Sequence, residues 1–171
     1  MTFIFGHLIV TWLIGRSLEF LSKKKFNQFS WLLLLTGGLL PDFDFPIAWI
    51  LGTDFHRTFT HGLIFVLVTF ILGSLIFAVY NNKKSKNYAF LLSLGVLVHI
   101  VVDFFSTQGV PLLWPYDYYI SILGISLGKP GVSMLSQNLA ETLVSFKLAI
   151  SDMALGTAWI FYLGVKKRIR F

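Results

Sequence analysis

The sequence predicts an all-α fold, a single-domain polytopic bundle of transmembrane helices. Three observations predict it. Of 171 residues, 56% are hydrophobic and only 13% are charged, against ~25% charged in a soluble domain. Apolar stretches recur that approach or reach the ~20 residues a spanning helix needs. The basic residues cluster at Lys23–Lys25, at Lys83, Lys84 and Lys86, and at Lys166, Lys167, Arg168 and Arg170, each time at the end of an apolar stretch. That placement is the mark of cytoplasmic loops. The formal charge of +6 therefore reports topology, and no nucleic-acid partner is expected. The chain has no cysteine, which excludes a disulfide framework, a thiolate metal site and a cysteine nucleophile.

Five spans follow in order. The first, about 3–21, begins apolar at Thr2 and Phe3 without a basic leader or cleavage site, so it reads as a retained helix and not a signal peptide. The second, about 29–40, is short for a crossing, and the stretch from Pro41 to Pro46 is expected to finish it as a bend. A short interfacial helix is expected at 45–51. The third span covers about 59–80, the fourth 88–105 and the fifth 139–164. Residues 106–138 form the longest connection. Its Trp114, Tyr116, Tyr118 and Tyr119 suit the membrane interface, so it is expected to lie there as a lid. With the lysine clusters cytoplasmic, the N-terminus lies outside and the C-terminus inside, in a plasma or inner membrane. Gly37-Gly38 suits close helix packing.

The ionisable residues fall at one end of this scheme. His7, Asp42, Asp44, His56, His61, His99 and Asp103 all map to the extracytoplasmic side, with Asp54 and Asp117 nearby. Hydrocarbon penalises each such group by at least ~2.5 kcal/mol, so they mark function by default. Two carboxylates after a helix-stopping proline, Pro41-Asp42-Phe43-Asp44, can turn toward one cation; the competing reading is a polar helix-end loop. His56 and His61 on one helix would point about 140° apart. His56 is therefore placed in the loop and His61 on the first turn of the third span, with Thr58 or Thr60 as its cap. Arg57 between them is either a bidentate clamp for a substrate anion or a headgroup anchor. His99 and Asp103, one turn apart, share a metal, or the acid orients the imidazole, or the two merely tie helices together. His7 is a further ligand or a packing residue. Glu141 lies on one face with Ser145 and Asp152, and is a general base or an additional ligand. Asp152 is expected to pair with Lys147 or Arg16.

Taken in order, His7, Leu40-Pro41-Asp42-Phe43-Asp44, His56-Arg57-x-x-Thr60-His61 and His99-x-x-x-Asp103 followed by Thr107-x-Gly109 and Pro111 resemble the membrane-bound metal-dependent hydrolases of the YdjM-like group. The resemblance covers about residues 1–115. It implies a small polytopic protein with metal-dependent hydrolase activity, and implies nothing for Glu141. Seven candidate ligands exceed the three or four of one zinc site, so one or two divalent ions are expected, zinc foremost, with manganese or iron suited by the same donors. The expected reaction is hydrolysis of a phosphoester in a membrane lipid or lipid-linked substrate. A divalent-metal transporter or sensor and a non-catalytic structural protein are the alternatives. A transporter would call for ligands through the membrane depth or an internal repeat, and neither is visible.

Overall fold

The computed structural model describes residues 4–53, 57–81, 83–106, 109–116, 118–122, 150–151, 154–163 and 165. Its named elements are helices: α1 Ile4–Ser22, α2 Gln28–Gly37, a 3-10 turn Leu40–Phe43, α3 Asp44–Leu51, a 3-10 turn Phe59–His61, α4 Leu63–Asn81 and α5 Ser85–Asp103. A further apolar helix covers Ala154–Leu163. The only strand-like pairing among the described residues is an isolated antiparallel bridge between Val110 and Ile120.

Among the described residues three helices are long and apolar enough to cross a membrane: Ile4–Ser22, Leu63–Tyr80 and Ser85–Asp103. Their apolar residues run all round the helix, as expected when lipid replaces water. α4 shows this most plainly, leaving Leu67, Ile71, Leu75 and Val79 exposed on its outer face. α5 is the central element, packed against α1, α2 and α4. The fifth expected span falls mostly outside the described residues.

The second expected span is shorter than the sequence suggests. α2 ends at Gly37, and Pro41 then starts the 3-10 turn that leads into α3. At ten residues α2 is half the length a crossing helix needs. The third span also starts later than expected, because residues 59–61 form a separate 3-10 turn closed by Gly62 before α4 begins at Leu63.

Two turns set the antiparallel order. α1 is stopped by Lys23 in the left-handed conformation, φ 55°, and Asn27 caps α2 by accepting the Ser30 N–H at 2.7 Å. The helix order therefore puts Lys23–Lys25 and Lys83–Lys86 at one end of the bundle, and His7, Asp42, His61, His99 and Asp103 at the other.

Glycines bring α2 and α5 into backbone contact. A methyl group at Gly37 would run into the Leu92 carbonyl, and one at Gly95 into the Leu34 carbonyl and, at 2.7 Å, the Gly38 nitrogen. Small residues permit such an approach where no hydrophobic force drives helices together. The contact also brings the Gly38 carbonyl within 2.8 Å of His99 Nδ1. We expect Gly95→Ala to force the helices apart, lowering stability by about 1–3 kcal/mol. Thermal unfolding in detergent measures this; an unchanged midpoint would contradict the packing described.

Candidate metal centre

Four elements deliver side chains to one point. α1 supplies His7 from its first turn, and the 3-10 turn after Gly37-Gly38 supplies Asp42. The second 3-10 turn supplies His61, and α5 supplies His99 and Asp103 from its last turn. His7, His61, His99 and Asp103 are fully buried. Asp42 keeps 23% of its side chain exposed and forms the open edge of the cluster.

The spacing of donor atoms is informative. His61 Nε2 lies 3.3 Å from His99 Nε2, 3.5 Å from Asp42 Oδ1 and 3.4 Å from Asp103 Oδ2. His99 Nε2 lies 3.5 Å from Asp42 Oδ1 and 3.7 Å from Asp103 Oδ2. These separations exceed good hydrogen bonds, which span about 2.7–3.2 Å. Metal–ligand bonds of about 2.0–2.2 Å put tetrahedral ligand atoms about 3.3–3.6 Å apart. Four of these five separations fall in that range, and the fifth, 3.7 Å, lies just beyond it. His7 stacks on His99, ring centroids 3.7 Å apart, and its Nε2 lies 3.5 Å from Asp103 Oδ1. Neither His7 nitrogen has a hydrogen-bond partner among the described residues. Two overlapping sets of side chains can hold an ion, His7–Asp42–His99 and His61–His99–Asp103.

The outer contacts aim both central imidazoles inward. A carbonyl only accepts, so His99 Nδ1 carries the proton it donates to Gly38 O, and its Nε2 lone pair faces the cluster. The Thr60 hydroxyl donates to Asp44 Oδ2 and lies 3.0 Å from His61 Nδ1. With its own proton committed to Asp44, Thr60 accepts from His61 Nδ1–H, which again leaves Nε2 facing inward. Such contacts fix tautomer and ring orientation in metal sites. Asp44 also accepts the Arg57 backbone N–H at 3.3 Å, so one carboxylate holds the whole turn from 57 to 61.

Arg57 sits beside the centre but is turned to the protein. It is 6% exposed. Its Nη2 pairs with Asp103 Oδ2 at 3.2 Å, and its Nη1 donates to Ser106 Oγ at 3.0 Å and to the Gly109 carbonyl at 3.4 Å. Its backbone is left-handed, φ 59°, a costly conformation for a side chain of this size. The Tyr119 hydroxyl holds it by donating to Arg57 O at 3.2 Å.

The model of the family described as "YdjM inner membrane protein" matches residues 1–169. The chain belongs to the YdjM inner membrane protein family, and is a membrane protein. It is 32% identical over 90 residues to the "Uncharacterized protein YvsG" of Bacillus subtilis, covering 46% of this chain and 52% of the relative. It is 38% identical over 71 residues to the "Protein CcdC" of the same organism, covering 39% and 41%. The chain thus spans about half the length or less of the curated relatives it matches. No solved structure matches it.

Within this family member, five of the seven expected ligands meet: His7, Asp42, His61, His99 and Asp103. Asp44 stands behind His61, its Oδ2 3.7 Å from Nδ1, and orients that ring from outside the cluster. His56 and Glu141 lie outside the described residues, as do Asp54, Asp117 and Asp152. His61 precedes α4 and is not on its first turn, and Thr60 braces Asp44 in place of capping a helix. Arg57 is buried and pairs with Asp103. Arg16 pairs with Glu19. Ser106 and the Gly38 carbonyl were not singled out by sequence, and Tyr119 was expected only at the membrane interface. Ser106 carries a faint signal, a hydroxyl three residues after Asp103, while a backbone carbonyl has none.

Burial disfavours a charged His61, but the carboxylates of Asp103 and Asp42 outweigh it and raise the imidazole above its usual range. Burial likewise opposes ionisation of Asp42, and the contacts with His61 and His99 outweigh it, holding that carboxyl well below the usual range. In chelator-treated protein, the His61 contribution to stability is full below about pH 6.5 and is lost as pH rises through the raised native value. The Asp42 contribution is present above about pH 3.9 and is lost only in stronger acid. We therefore expect the melting temperature of the chelated protein to fall from pH 6 toward pH 9. A flat profile would refute the coupling.

Proposed function

We propose that this chain is a membrane-embedded metal-dependent hydrolase that cleaves a phosphoester in a lipid or lipid-linked substrate at the extracytoplasmic face. The observation that carries the reading is the convergence of His61 Nε2, His99 Nε2, Asp42 Oδ1 and Asp103 Oδ2 at coordination spacing in a buried pocket. These four residues, with His7 beside them, would hold a divalent ion. Zinc suits imidazole with carboxylate best, while manganese and iron accept the same donors. One ion is favoured over two because His99 lies in both candidate sets and has a single inward lone pair. Such an ion, when bound, supplies Lewis acidity and a more acidic water.

The chain's own groups have distinct tasks. Asp44 and Thr60 set the His61 tautomer, and the Gly38 carbonyl sets that of His99. Arg57 holds Asp103 and acts on a phosphate only through it. Asp42, at the open edge, is the carboxylate best placed to meet an incoming water or substrate. The lipid-linked substrate class is supported by position: the cluster sits where membrane-length helices end, beside a connection carrying exposed Leu113, Tyr116 and Tyr118. The extracytoplasmic assignment rests on the lysine clusters at the opposite end.

Elemental analysis of purified protein and hydrolysis assays on phosphatidic acid and polyprenyl phosphates test the reading together. We expect about one transition metal per chain. His61→Ala and Asp103→Ala should abolish both stoichiometric metal and hydrolysis, and activity retained in both variants would overturn the proposal. Asp44→Asn should keep the metal stoichiometry at saturation and lower metal affinity about 10–100-fold; unchanged affinity would remove Asp44 from its orienting role.

A further inference from the structure

The opposite end of the bundle holds a cavity of about 660 Å³ between the α1–α2 and α4–α5 connections. Lys24 and Lys25 reach it from one connection and Lys84 from the other, with Asn27, Asn87 and Tyr88 beside them. Positive-inside topology needs lysines in these loops but not their convergence on one cavity lined by amides and a phenol. Glu19, the acid at this end among the described residues, is engaged by Arg16 at 2.5 Å and by the Phe26 N–H at 2.6 Å. Among the described residues the lining lysines therefore face no competing carboxylate there. Asn27 is held by its cap to Ser30, and its Nδ2 lies 3.5 Å from the Tyr88 hydroxyl.

Leu18, Phe26 and Leu91 give the same cavity an apolar side. Leu18 and Leu91 belong to α1 and α5, helices long and apolar enough to cross a membrane. A ligand that satisfies both sides is an amphiphile with an anionic head and a hydrocarbon tail. We propose that this cavity binds the phosphate headgroup of an anionic phospholipid, gripped by Lys24, Lys25 and Lys84, with its acyl chains along α1 and α5. Basic pockets between helices at the cytoplasmic boundary select such headgroups. This lipid is a bound partner, separate from any substrate of the His–Asp centre.

The test uses the full chain in neutral detergent, titrated with dioleoyl phosphatidylglycerol or dioleoyl phosphatidylcholine and read by native mass spectrometry. Inorganic phosphate is the third probe. Phosphatidylglycerol is expected to be retained in preference to phosphatidylcholine. Lys24→Gln and Lys84→Gln should each weaken that retention about fivefold, while Lys23→Gln and Lys86→Gln, outside the lining, change it less than roughly twofold. Asn87→Leu leaves the charge and hence the topology signal intact, and should also weaken retention should a lysine variant insert poorly. Equal binding of the two lipids would overturn the proposal. So would equal losses in all four lysine variants, which would mean diffuse surface charge. Displacement of the lipid by equimolar inorganic phosphate would mean a soluble-anion site and would overturn the lipid assignment.

Discussion

Charge balance in a buried space is the constraint on which the rest of this structure depends. Asp42, Asp44 and Asp103 bring three negative charges to one end of an apolar bundle, and Arg57 returns one positive charge. With the imidazoles neutral, the described residues around the centre sum to −2. Water cannot screen such groups when they are buried, and unpaired charge there is heavily penalised. The imbalance can be met by protonating histidines, His61 foremost because Asp103 and Asp42 outweigh its burial and raise it, or by a divalent cation. The metal centre proposed above takes the second route. Protonated imidazoles would draw the carboxylates to hydrogen-bond distance, yet the inward-facing atoms stand 3.3–3.7 Å apart.

Keeping that spacing requires rigid supports, and the bundle provides them through backbone contact. Gly37 and Gly95 let α2 and α5 touch. The same contact carries the Gly38 carbonyl to His99 and starts the turn that presents Asp42. Helix packing and the orientation of His99 are therefore one event: a side chain at Gly95 would disturb the fold and the cluster together. Arg57 adds a second support. Its planar fork reaches Asp103, Ser106 and Gly109 at once, a geometry a lysine cannot reproduce.

Much of this was legible in the sequence, for identifiable reasons. Charged residues in apolar stretches are rare and costly, so His7, Asp42, His61, His99 and Asp103 stood out, and basic clusters placed them at one end without reference to their chemistry. The i,i+4 spacing of His99 and Asp103 required both to share a helical face. What could not be read was the difference between inner and outer contacts. Asp42 and Asp44 look equivalent in Pro41-Asp42-Phe43-Asp44, and only the 3-10 turn followed by α3 sends one to the cluster and the other behind His61. The setting of Arg57 was hidden for a related reason. Its left-handed backbone reverses the chain locally, and sequence does not reveal that a non-glycine residue adopts it. The short α2 was foreshadowed by Gly37-Gly38 and Pro41, whose effect on length was clear but whose role in seating His99 was not.

The turn bearing His61 is clasped from two sides, and this bears on how the centre responds to anything that docks beside it. On one side Asp44 holds the Arg57 N–H, the Thr60 hydroxyl and the His61 ring. On the other, the aromatic connection grips the same stretch: Tyr119 donates to Arg57 O, Leu63 N–H donates to Leu112 O at 3.0 Å, and Phe59 packs edge-on against Trp114. Ile122 N–H reaches back to Phe104 O at 2.8 Å, next to Asp103. The connection is thus bonded to both sequence neighbourhoods that furnish the clustered side chains. The aromatic connection is therefore part of the framework around the His–Asp cluster.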